Sequence, residues 1–194
     1  MEVCNSTYGR TGWLGIAGIS VSGGHITQAY SKLNDTYFNT ATYNTSAWRR
    51  LVMCQELGHT FGLDHTDETF DNANHGTCMD YTNDPDGGPG GASDTDSSNE
   101  HPFQHDYDQL ASIYQRLDST TTVGRTSTKN RLPAAAANEA DLDDEGPSKW
   151  GQLIRKSPDG RLALYRKDLG GGHKVFRFVI WTDGAPQANR DARR

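Results

Sequence analysis

The residues best suited to chemistry lie in one stretch, Cys54-Gln55-Glu56-Leu57-Gly58-His59-Thr60-Phe61-Gly62-Leu63-Asp64-His65. Residues 55 and 59 are four apart, so on a helix they project from one face, one turn apart, and can reach a common ion. Glu56 is offset by about 100° around the axis, near enough to touch a water on that ion without being forced to bind it. Gly62 permits a sharp exit from the helix, which lets His65 return to the ion from below. Two helix-borne donors and one donor after a glycine turn leave a coordination position open, as hydrolytic zinc requires. The amide oxygen of Gln55 is a neutral donor, weaker for zinc than imidazole. It is either a weak third ligand or the mark of a non-catalytic site. Glu56 favours activity, because a buried carboxylate carries a desolvation cost that an inactive site has no use for. The remaining histidines, His25, His75, His101, His105 and His173, have no such register and read as surface or capping groups. His75, close in sequence to Met79, is also a candidate extra ligand.

The stretch resembles the long zinc motif of metzincin metallopeptidases, H-E-x-x-H-x-x-G-x-x-H, matched at Glu56, His59, Gly62 and His65 and departing from it at Gln55. Thr77-Cys78-Met79-Asp80-Tyr81 resembles the methionine turn beneath the metal of that family. Segment 106–114 resembles the C-terminal helix of matrixin-like catalytic domains, and segment 12–21 resembles their edge strand, along which an extended substrate lies. The likeness spans roughly residues 12–117. It implies an α+β fold with a twisted sheet, an active-site helix and a C-terminal helix, followed by a small β appendage. It further implies one catalytic Zn2+ on Gln55, His59 and His65, with Glu56 as general base. Tyr81 would donate to the oxyanion, and Met79 would form a hydrophobic floor. The substrate would be a polypeptide paired with the strand around Leu14–Val21. The alternative is a catalytically degenerate relative that serves as a metal-binding or interaction module.

These side chains need elements to position them. Segment 12–22 is apolar and partly alternating, which predicts a strand, with Gly23-Gly24 as a turn. Segment 25–38 is ambiguous between strand and short helix. Thr45-Ser46 can cap a helix from Ala47 onward, and Gly62 is its natural stop. Residues 64–100 are polar, acidic and Gly-rich, and predict a long irregular loop. Its carboxylates, among them Asp64, Asp67, Glu68, Asp71, Asp84, Asp86, Asp94 and Asp96, make Ca2+ a second candidate ion, although EF-hand spacing is missing. A second helix is expected over 106–117, with Leu110, Ile113, Tyr114 and Leu117 on one face.

The composition divides the chain into a catalytic unit 1–118, a linker 119–148 and a small β-rich segment 149–194. The last segment predicts about three strands with turns at 157–160 and 170–172. It is too small to stand alone, so it should pack on the first unit or on a copy of itself. Residues 1–118 hold 5 Lys+Arg against 16 Asp+Glu, and residues 119–194 hold 14 against 9. The acidic first unit argues against a nucleic-acid partner, because phosphates would be repelled. No run of about 18 apolar residues is present to span a membrane. Three cysteines, Cys4, Cys54 and Cys78, allow one internal disulfide at most. Cys54 and Cys78 flank the two parts of the site: they are either a disulfide suited to an exported enzyme or two buried thiols. A secreted protein is expected. Met1-Glu2-Val3-Cys4 lacks a signal peptide, and only about a dozen residues precede Gly12 where matrixin-like domains carry further elements. The start is therefore expected to be truncated.

Overall fold

The computed structural model describes residues 1–89, 93–115, 146–183 and 185. Its secondary structure is mixed α+β, with one six-stranded mixed sheet and few helices. The strands are β1 (Glu2–Ser6), β2 (Trp13–Ser22), β3 (His25–Asn34), β4 (Gln152–Lys156), β5 (Leu162–Gly170) and β6 (His173–Trp181). The helices are α1 (Asp35–Phe38), α2 (Ser46–Thr60) and α3 (Gln104–Ile113). The sheet order is β1-β3-β2-β6-β5-β4. β1 pairs with β3 in parallel, and all other neighbours are antiparallel.

β2 and β3 form a hairpin across Gly23-Gly24, whose positive φ angles of 59° and 83° an L-residue rarely adopts. The ambiguous segment 25–38 contains both predicted forms. β3 runs to Asn34, whose side chain then caps the single turn of α1 by accepting from the Thr36 amide. The C-terminal segment forms three strands, as its alternation predicts. It packs on the first unit by extending the same sheet, with β6 alongside β2.

The neighbour order overturns one expectation. The strand 13–22 is not an edge: β3 lies on one side and β6 on the other. Burial agrees, since residues 13–19 are all buried instead of alternating between core and water. One face carries Gly15 and Ala17 toward α2, while the other carries Trp13 and Ile16 into a cluster with Trp150, Tyr165, Val179 and Trp181.

α3 also departs from its expected pattern. Ile113 and Tyr114 are exposed, and only Asp106 on this helix is buried. Leu110 of the expected stripe does pack against the cluster of Leu51, Leu63 and Met79, and the helix start is held by polar contacts. Asp106 accepts from the Phe103 amide at 2.9 Å and from the Thr77 hydroxyl, so the helix start is tied to the turn that carries Met79. Leu117 and most of the linker, residues 119–145, lie outside the described residues.

Candidate functional site

α2 starts where Thr45 accepts from the Trp48 amide at 3.1 Å, an N-cap that satisfies one otherwise unpaired donor. It ends in a Schellman-type turn. The Leu63 amide donates to Gly58 O at 3.1 Å and the Gly62 amide to His59 O at 2.9 Å, with Gly62 at φ +92°. The buried face of α2 includes Gln55, Glu56 and His59 beside Leu51 and Val52. Burying three polar side chains on a core-facing stripe costs free energy unless each finds a partner.

His59 finds two. The turn after the helix brings Leu63 O to 2.9 Å from Nδ1. A carbonyl oxygen can only accept, so Nδ1 carries the hydrogen. Nε2 then faces His65 Nε2 at 3.0 Å. Burial, followed by the charge of His65, pushes the His59 pKa well below the ordinary histidine range, so this ring is neutral. His65 is held from its other side. Its Nδ1 lies 3.3 Å from Glu68 Oε1, and its backbone amide donates to Asp64 Oδ1 at 2.9 Å. Both imidazoles thus use Nδ1 toward an oxygen acceptor and turn Nε2 toward each other. With His59 Nε2 a bare acceptor, the 3.0 Å contact calls for either a hydrogen on His65 Nε2 or a metal ion between the two nitrogens.

Glu56 is fully buried, and neither of its carboxylate oxygens has a hydrogen-bond partner. Burial alone pushes its pKa well above the ordinary glutamate range. It sits under Gly15 of β2, where a Cβ would fall 2.6 Å from Glu56 Oε1 and 2.6 Å from Val52 Cγ1. The missing side chain at position 15 makes the space that the carboxylate occupies.

Gln55 is pinned by its nitrogen. Nε2 donates to Cys78 O at 2.9 Å and to Asp80 O at 3.3 Å, the carbonyls on either side of Met79. Both partners are acceptors, so the amide orientation is fixed and Oε1 is the atom left for any other ligand. Met79 is buried and closes against the helix at Gly58, where a Cβ would lie 2.3 Å from its sulfur. A Gly inside a helix costs about 1 kcal/mol relative to Ala, and here it permits that close approach. Gly58→Ala should therefore destabilise the protein by roughly 1–3 kcal/mol despite its better helix propensity, a difference that urea unfolding can measure. A disulfide, Cys54–Cys78, fastens the same two segments with Cα atoms 5.8 Å apart.

Tyr81 lies in the core against Phe70, with ring centroids 4.7 Å apart, and its hydroxyl donates to Asp159 Oδ2 at 2.9 Å. Burial, and then the Asp159 carboxylate, push its pKa upward. The hydroxyl is thus engaged by the turn between β4 and β5.

Among the described residues, two groups of acidic and histidine side chains lie close enough to hold a metal ion: Asp64, His65 and Glu68, and Asp67, His75 and Asp80. In the first, the Arg155 guanidinium lies against both carboxylates, 2.9 Å from Asp64 Oδ2 and 2.9 Å from Glu68 Oε1. Burial raises the Asp64 pKa, but Arg155 and the His65 amide outweigh it and hold that carboxyl below its ordinary range. In the second, His75 stands between its partners, with Nδ1 3.6 Å from Asp80 and Nε2 4.0 Å from Asp67. The two carboxylates thus meet different nitrogens of the ring and not one shared point.

The structure therefore brings His59 and His65 together, buries Glu56 on the same helix beneath Gly15, and ties Gln55 to the Met79 turn. It places Tyr81 on Asp159. Of the further contacts, Leu63 O and Glu68 are local, four residues after His59 and three after His65, while Arg155 and Phe178 carry no local signal. A cavity of about 700 Å3 is lined by Met53, Leu57, Phe61, Leu63 and Leu110 together with Met79, and none of Gln55, Glu56, His59 or His65 lines it.

Position 55 can be tested directly. Zinc affinity should fall in the order Gln55→His, wild type, Gln55→Ala in a competitive chelator titration at one pH, because imidazole is the better zinc donor. Gln55→Ala should also cost about 1–3 kcal/mol of stability, since two buried carbonyls lose their donor. Equal affinities in all three proteins would show that residue 55 only positions the turn. Comparison of the chain with family models, with curated proteins and with solved structures finds no match to any of them.

Proposed function

We propose that this protein is an exported zinc-dependent endopeptidase of the metzincin type, matrixin-like in its motif. The observation that carries the reading is the His59–His65 Nε2 pair at 3.0 Å, with a buried and unpartnered carboxylate, Glu56, on the helix that bears His59. The donor set fits a zinc ion: two imidazole nitrogens, each with its Nδ1 toward an oxygen of Leu63 or Glu68, and the amide oxygen of Gln55 as third donor. When bound, zinc supplies a Lewis acid that polarises a substrate carbonyl and lowers the pKa of water.

The chain's own residues account for the rest of the chemistry. Glu56 takes the proton of the attacking water and passes it to the departing amine. A bound cation nearby would draw its pKa back down and leave it ionised at neutral pH. Met79 contributes shape and no bond. Tyr81 can stabilise an oxyanion only after its hydroxyl leaves Asp159. The Cys54–Cys78 disulfide is compatible with an oxidising compartment. Calcium in the acidic loop is a subsidiary proposal, suggested by Asp84, whose Oδ2 is buried without a partner.

Cleavage of an unfolded polypeptide should be abolished by a chelator and restored by added zinc. Cleavage that persists in the zinc-free protein would remove the reading. A second reading, a metal-binding module without catalysis, is favoured by the strand β6 seated along β2. Metal binding without cleavage under any condition would select it.

A further inference from the structure

The strand to which the resemblance assigns substrate pairing already has a partner. β6 runs antiparallel to β2 over its whole length, from Trp13↔Trp181 to Ser22↔His173. An extended peptide adding to a sheet edge would make these same main-chain hydrogen bonds. The side chains reinforce the likeness. Phe178, opposite Ala17, stacks on the His59 ring with centroids 4.0 Å apart and planes 8° apart. Arg155 of β4 pairs with Asp64 and Glu68, the two carboxylates that hold His65. Asp159 holds the Tyr81 hydroxyl. Three separate contacts from one C-terminal segment thus fall on the three parts of the candidate site. His59 is 1% exposed and the His65 side chain 5% exposed, so neither ring is open to a substrate.

We propose that residues 150–181 are a self-supplied occupant of the substrate edge, a strap that holds the chain latent until β6 leaves β2. The proposal rests on the peptidase reading for its purpose, but the guarding of the two histidines can be measured without it. Occupation by β6 explains why a strand that resembles an edge lies inside the sheet. It also assigns the partner class: an extended, apolar peptide segment lying antiparallel to β2, with an aromatic side chain over His59, as Phe178 lies now. Hydrophobic burial of β6 is extensive, so the open form is a minor population in the intact chain.

The test uses the full chain in three forms: wild type, Arg155→Glu and Phe178→Ala. Arg155→Glu removes exposed ion pairs and leaves the core intact, so it covers the case in which Phe178→Ala does not fold. Three readouts are taken: amide hydrogen exchange of β6 against β3, acylation of His59 and His65 by diethyl pyrocarbonate, and cleavage of an unfolded polypeptide in the presence of zinc. The strap predicts that β6 amides exchange faster while β3 keeps its protection. Acylation of both histidines should rise in step, by severalfold in Arg155→Glu and by on the order of a hundredfold or more in Phe178→Ala, the increase in open population that loss of a large core side chain gives. Cleavage should rise by a similar factor. Histidines that stay protected while β6 opens would overturn the strap, as would β6 and β3 losing protection together. Unchanged β6 exchange in both variants would overturn it as well. Histidines that open without any cleavage would leave the strap standing and remove the peptidase reading.

Discussion

Glu56→Gln should lower the rate of polypeptide cleavage by about 10²–10⁴-fold while leaving zinc bound, the usual cost of losing a general acid–base group. The substitution keeps the shape that fits beneath Gly15, so the cavity and the α2–β2 contact survive. What it removes is a proton acceptor that no other protein group engages, since both Glu56 oxygens lack a hydrogen-bond partner. Cleavage at the wild-type rate in this variant would show that Glu56 is not the base. The metal-free protein offers an independent check through stability. Burial raises the folded pKa of Glu56 above the ordinary value of 4.5. The stability it contributes is therefore fully present below that value and is lost as pH rises through the folded pKa, where the folded state must bury a charge. Metal-free Glu56→Gln lacks this loss and should gain stability relative to wild type as pH rises. Parallel stability curves for the two proteins would mean that Glu56 titrates normally.

Removing the disulfide should produce the second large effect. Cys54 and Cys78 are 24 residues apart, and closing a loop of that length removes about 3–4 kcal/mol of unfolded-state entropy in the chain-entropy model. Cys54→Ser/Cys78→Ser should then melt roughly 6–16 °C lower. It should also bind zinc more weakly than stability alone requires. The disulfide, the Gln55 amide and the Gly58–Met79 contact all tie α2 to the Met79 turn, and the double variant leaves the other two to hold it. Calorimetry and chelator competition measure the two effects separately. An unchanged melting temperature would mean that the remaining contacts hold the turn unaided.

The local elements were largely legible because their signals are local. Thr45 caps, Gly62 ends the helix and swings Leu63 O back to His59, and Gly23-Gly24 closes the first hairpin. The register of Gln55, Glu56 and His59 could be written down from spacing alone, because helix geometry fixes it, while the return of His65 depends on the turn at Gly62. What sequence could not reveal was set by pairings distant in the chain. Which strand lies on the free side of β2 is decided by residues about 160 positions away, and apolar alternation in 173–181 specifies a strand without specifying its neighbour. The same holds for β1, a short strand with little apolar content that joins β3 in parallel. Phe178 over His59, Arg155 on Asp64 and Asp159 on Tyr81 are all consequences of that one pairing. α3 misled for a different reason. Its apolar stripe predicts burial, yet Asp106 anchors the helix through Thr77 and Phe103 and leaves Ile113 and Tyr114 exposed.

The central claim is that His59 and His65 share a metal ion and not a proton. Elemental mass spectrometry of the purified full chain, dialysed against buffer with limiting zinc, addresses it directly. The wild-type protein should retain one zinc per chain, and His59→Ala/His65→Ala should retain one fewer at the same protein concentration. Equal zinc content in the two proteins, or a wild-type chain that takes up none, would contradict the account and leave the Nε2 pair as a proton-bridged core contact.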